Sequence, residues 1–146
     1  MQVTWGLTVD CERPGELARF WTLALGYVAA PVPPGFATWE DWLRHFGVPE
    51  EEWDDGAYLS DPGGVGPTLS FLKVPESKVV KNRVHVDVKA GGGRETPWER
   101  RWPRVLAMVE RLTAAGATVV QQHDDGAGRG DHVEMRDPEG NEFCVV

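Results

Sequence analysis

The chain has 146 residues, of which 41% are apolar and 26% charged, the balance of a single globular domain rather than of a disordered or fibrous chain. Fifteen basic against 23 acidic residues leave a formal charge of −8, which disfavours nucleic acid as a partner. No apolar run approaches the roughly 20 residues of a membrane helix, two distant cysteines (Cys11 and Cys144) cannot frame a disulfide scaffold, and Met1 to Trp5 lack the pattern of a secretion signal, so a reducing cytoplasm is the expected compartment.

The first segment, Trp5 to Cys11, alternates: Leu7, Val9 and Cys11 share one side, Gly6, Thr8 and Asp10 the other, which predicts a strand with one packed face. Pro14 suits the first position of a helix whose stripe is Leu17, Phe20, Trp21, Ala24 and Leu25, and Gly26 can end it in the left-handed conformation. After the Pro31 to Gly35 loop, Thr38 can cap a short helix carrying Trp39, Trp42, Leu43 and Phe46, with Asp41 at the capping-box position. An acidic turn from Pro49 to Trp53 follows, then strands over Ala57 to Ser60 and Thr68 to Val74, separated by Asp61-Pro62-Gly63-Gly64.

Pro75 to Lys81 reads as a polar linker. From Arg83 to Lys89 the alternation predicts a strand with Val84, Val86 and Val88 on one face and Arg83, His85, Asp87 and Lys89 on the other. A glycine run leads to a long helix from about Trp102 to Ala115, closed by Gly116. Ala117 to Gln122 is a strand and His123 to Gly130 a polar loop. Asp131 to Arg136 and Asn141 to Val146 are strands joined by Asp137-Pro138-Glu139-Gly140.

The two halves repeat. Each reads strand, helix, glycine, strand, strand, Asp-Pro-x-Gly turn, strand, and Val9-Asp10 matches Val86-Asp87 as the two turns match each other. The predicted fold class is therefore α+β: two βαβββ modules in one domain over residues 1–146. Module one covers about 1–75, with an inserted helix at about 36–55, and module two about 82–146.

Phe20-Trp21, Leu25-Gly26, the Lys81 to Asp87 segment and the closing Asp137 to Cys144 segment, in this paired arrangement, resemble the glyoxalase-like domain proteins of the vicinal oxygen chelate superfamily, which includes glyoxalase I, extradiol dioxygenases and bleomycin- and fosfomycin-resistance proteins. The resemblance implies modules that curl mixed sheets around a cleft with helices outside. In metal-using relatives a His on the first strand and a Glu on the last strand of each module hold a divalent ion. Here the final-strand Glu position is Cys144, the first strand carries no histidine near Gly6, and only His85 matches a first-strand ligand. No cofactor is assigned on this pattern. A divalent metal on a rebuilt set of His85, His132 and Glu134 is the weaker variant.

The alternation then places Asp10 and Thr8 from module one, and Arg83, His85, Asp87, His132, Glu134, Glu142 and Cys144 from module two, on the faces that would line the cavity. As an enzyme the chain would be a lyase or isomerase, with His85 as acid or base, Asp87 or Asp10 orienting it, and Arg83 as an anion clamp. Trp39 joins Thr8, Glu134, Glu142 and Cys144 as a substrate-binding candidate. Several have a structural alternative: backbone hydrogen bonds or ion pairs for Asp10 and Asp87, a pair with either of them for Arg83, a satisfied polar group for His85, an inert packed thiol for Cys144, helix packing for Trp39. The competing function is sequestration of a cationic or planar drug in an acidic, tryptophan-rich cleft without turnover. The expected partner in either case is a small molecule, and the apolar side of the inserted helix leaves room for a homodimer.

Overall fold

The computed structural model describes all 146 residues, and the chain divides into two compact units. The first comprises Met1–Thr22 and Gly26–Ser77; the second comprises Lys78–Val146 together with Leu23–Leu25.

In the first unit β1 (Gly6–Cys11) leads into α1 (Pro14–Leu25), then β2 (Val28–Ala29), α2 (Trp39–His45), a 3-10 turn at Glu50–Asp55, β3 (Gly56–Ser60) and β4 (Thr68–Lys73). The four strands lie in the order β1-β4-β3-β2, with β1 parallel to β4 and the other pairs antiparallel. Local chemistry accounts for the punctuation. Gly26 closes α1 at φ 69°, and the Thr38 hydroxyl accepts the Asp41 N–H at 3.1 Å to start α2. The Asp61 carboxylate accepts the N–H groups of Gly63, Val65 and Gly66 to hold the β3–β4 turn. The core draws Leu17, Phe20 and Trp21 from α1 and Leu59, Leu69 and Phe71 from β3 and β4.

The second unit repeats the plan: β5 (Asp87–Val88), α3 (Trp98–Ala114), β6 (Thr118–Asp124), β7 (Gly130–Arg136) and β8 (Glu142–Val145), in the order β5-β8-β7-β6 with β5 parallel to β8. Asp137 does for its turn what Asp61 does for the first, accepting the N–H groups of Glu139 and Asn141 and the Asn141 side-chain amide. Val88, Val133, Met135, Phe143 and Val145 face the helix side and bury with Trp102, Val105 and Leu112 of α3. The opposite face of this sheet stays polar. The α+β fold of two βαβββ modules is thus present in both sheets, with no closed barrel.

Three expectations are corrected. The strand expected over Arg83 to Lys89 is reduced to Asp87–Val88, and Val84 is 70% exposed instead of packed. The Asn82 N–H donates to the Glu142 carboxylate at 3.0 Å and the Asn82 carbonyl meets His85 Nε2 at 3.1 Å, so the chain turns here and joins the ladder only where Cys144 N–H reaches the Val86 carbonyl. The long helix begins at Trp98 instead of Trp102, because Trp98 Nε1 donates to the Gly130 carbonyl and Arg101 to that of Asp131, adding tertiary anchors to its first turn. His123 lies on β6, not in a loop: Asp125 accepts the N–H groups of Ala127 and Arg129 and confines the turn beyond Asp124.

Candidate functional site on the second sheet

Strand alternation sends Phe143 and Val145 into the core, so Glu142 and Cys144 project to the other face; on β7, Val133 and Met135 do the same for His132 and Glu134. Register then aligns them. Asp87 lies opposite Cys144, Cys144 opposite Glu134, and Glu134 opposite Gln121, while His132 lies opposite His123. The polar row of Asp87, Cys144 and Glu134 therefore crosses three strands side by side.

Each of these groups has a defined partner. Lys81 Nζ lies 3.1 Å from Glu134, and His123 Nε2 3.6 Å from its other oxygen. The Lys81 hydrogen bond is the main reason the Glu134 carboxyl titrates below the usual range. The imidazoles of His123 and His132 stack at 4.4 Å and 8°. His132 Nδ1 lies 2.9 Å from Asp131 Oδ2; a carboxylate only accepts, so Nδ1 carries the proton and Nε2 is left as the free nitrogen. That bond, with help from Arg94 and Arg101, holds Asp131 below the ordinary aspartate range and therefore ionised. Burial, reinforced by the Asp87 and Glu134 carboxylates, pushes the Cys144 thiol up, so it stays protonated and is a poor nucleophile.

A pocket of about 450 Å³ opens at the end of this sheet. Asp87, Cys144 and His132 reach it from the strands, Lys89 and Arg94 from the segments around them, and Arg101 from α3. Carboxylates (Asp87, Asp131), an imidazole and cationic groups thus line one small space. The second unit thus brings together Asp87, His132, Glu134 and Cys144 among the residues singled out in the sequence. Glu142 is nearby but only 7% exposed and paired to Lys78 at 3.0 Å, a structural placement. His85 and Arg83 sit in the exposed turn before β5. Thr8 and Asp10 are exposed on β1, and Trp39 lines a separate pocket of the first unit. The sequence pattern did not point to Asp131 as the partner of His132, nor to Arg94 and Arg101 as partners of Asp131; the adjacent Asp131-His132 pair at a strand start was the available signal.

The family pattern would put a divalent ion on this face, and the residues present do not fit one. The thiol of Cys144 stands where chelating relatives carry a carboxylate, and no group of three or more His, Cys, Asp or Glu side chains is placed to hold a metal ion.

Residues 6–146 match the glyoxalase-like domain family model. The chain belongs to that family, and through it to the vicinal oxygen chelate superfamily. No curated protein sequence matches it. Among solved structures, a glyoxalase/bleomycin resistance protein/dioxygenase family enzyme from Burkholderia phytofirmans PsJN is 16% identical over 95% of this chain and 93% of its own, with a TM-score of 0.57. A point mutant of the genomically encoded fosfomycin resistance protein FosX from Listeria monocytogenes, as a complex with Mn(II) and 1S,2S-dihydroxypropylphosphonic acid, is 10% identical over 99% and 89%, with a TM-score of 0.55. TioX from Micromonospora sp. ML1 is 17% identical over 99% and 97%, with a TM-score of 0.51. At these identities the likeness is one of fold.

Proposed function

We propose that this glyoxalase-like protein binds a small organic anion at the polar end of its second sheet and moves a proton on it, as a lyase or isomerase does. The observation that carries the reading is the Asp131–His132 pair opening onto the 450 Å³ pocket. His132 Nε2 is the acid or base, Asp131 fixes the tautomer and stabilises the imidazolium, and Arg94 and Lys89 supply charge for the substrate anion. Arg94 and Arg101 each lie 3.5 Å from Asp131 Oδ1; the 13%-exposed Arg101 acts through that carboxylate, and the 84%-exposed Arg94 is the one open to a ligand. Asp87 is the second carboxylate available at the pocket. The acid–base role first read onto His85 passes to His132, because His85 is engaged with the Asn82 carbonyl in an exposed turn.

Enolisation of a 2-oxo acid is the simplest reaction of this kind. In D2O, the protein should speed deuterium incorporation at C3 of small 2-oxo acids, read by proton NMR. His132→Gln should remove most of the acceleration, roughly the 10²–10⁴-fold that a positioned acid–base supplies. Exchange at the buffer rate across short-chain 2-oxo acids, or exchange indifferent to His132→Gln, would contradict it.

A further inference from the structure

The larger pocket lies elsewhere, in the first unit. β2 pairs with β3 only at Ser60 and Leu59, so the Gly56–Ala57 edge of β3 has no strand beyond it. The inserted segment from Trp39 to Asp55 runs here and, with α1, encloses about 720 Å³. Trp39, Trp42, Trp53 and Tyr58 line it, and Arg19 and Glu52 are among its charged groups. The volume is that of a drug-sized ligand site.

The aromatic rings show what kind of molecule fits. Trp39 Nε1 is bonded to the Ala30 carbonyl and Trp53 Nε1 to that of Val48, which turns two indoles into fixed walls. One face of Trp39 is covered by Tyr58 at 5.3 Å and 11°, and one face of Trp53 by the Arg44 guanidinium at 4.9 Å. The cation–π position on Trp53 is therefore filled from within the chain. Of the charges lining the pocket, Asp55 is neutralised by Lys73 at 3.2 Å. The Arg19 guanidinium makes no hydrogen bond or ion pair within the chain, and neither does the Glu52 carboxylate. With the Trp53 face already taken by Arg44, the forked Arg19 donor at the α1 side is the anchor left for a planar ligand's carboxylate, Glu52 lying on the inserted segment instead.

We infer that the edge pocket of the first unit binds a planar aromatic carboxylate, its rings among the tryptophans and its carboxylate on Arg19. The site is separate from the proton-transfer site proposed on the second sheet and does not depend on it. The chain's net charge of −8 does not forbid an anion here, because at physiological ionic strength charges beyond about 8 Å are largely screened.

The probe is 2-naphthoate, titrated calorimetrically beside its cationic analogue 2-naphthylmethylamine and the neutral 2-naphthalenemethanol. Naphthoate should bind tightest. Arg19→Gln, at an exposed position, should weaken naphthoate roughly 10- to 100-fold while leaving the alcohol unchanged. Trp42→Ala should weaken both, and His132→Gln neither. Tighter binding of the amine, naphthoate affinity unchanged by Arg19→Gln, or no heat at millimolar naphthoate would each overturn the assignment.

Discussion

Glu142 is a buried carboxylate whose burial is answered by a backbone N–H and an ammonium group. Burial alone would raise its pKa, but the Asn82 N–H and the Lys78 ammonium outweigh that and bring it from 4.5 to about 2. The folded value lies below the unfolded one, so this stabilisation is complete above about pH 4.5 and is lost as pH falls towards 2. The shift corresponds to about 3 kcal/mol. Glu142→Gln should therefore cost about 2–3 kcal/mol at pH 7 and much less at pH 3, measured as urea midpoints at the two pH values. A variant as acid-sensitive as the parent would contradict this. The same residue was legible in the sequence as a group on the polar face, and its role was not. Alternation says which side of a strand a residue takes, but the donors that satisfy Glu142 come from Lys78 and Asn82, some 60 positions away. Cys144 was more readable, because a single thiol in place of a ligating carboxylate is a chemical statement in itself.

At the level of elements, α3 and β7 are joined at one close approach. Gly130 sits under the Trp102 ring, and a Cβ added there would overlap it. Gly130→Ala should destabilise the protein by about 1–3 kcal/mol, the usual range for forced overpacking. Trp102→Phe in the same chain should recover part of the loss in thermal unfolding; equal stability of Gly130→Ala and the parent would sink the account of this contact. The anchors at this junction also explain why α3 starts a turn before the point its local sequence suggests. Pro103 inside the helix invites a start at Trp102, whereas Trp98 and Arg101 are held to β7 by hydrogen bonds that no local pattern encodes. β5 failed in the opposite sense. Its valine alternation is real, but capture of Asn82 by Glu142 peels residues 83–86 from the sheet. Helix α2 was fully readable, since its cap is local: Thr38 and Asp41 are neighbours in sequence and in space.

For the whole molecule, the repeat was the strongest signal. Two Asp-Pro turns at matching offsets predict two modules, and both sheets show the same strand order with the first strand parallel to the last. That duplication accounts for the fold, while the chemistry depends on which side chains remain. Without three converging ligands, the purified protein should take up no stoichiometric manganese, nickel or zinc on incubation and dialysis, measured by elemental analysis; one equivalent retained per chain would show a donor set rebuilt from other residues. The central claim is that a small anion sits against His132 on the second sheet. The direct measurement is a titration of the protein with malonate, following the histidine ring resonances by NMR at constant pH. His132, and His123 stacked on it, should shift and saturate while His45 and His85 stay still, and Arg94→Ala should weaken the effect. Shifts shared by all the histidines, or none at tens of millimolar malonate, would contradict the account.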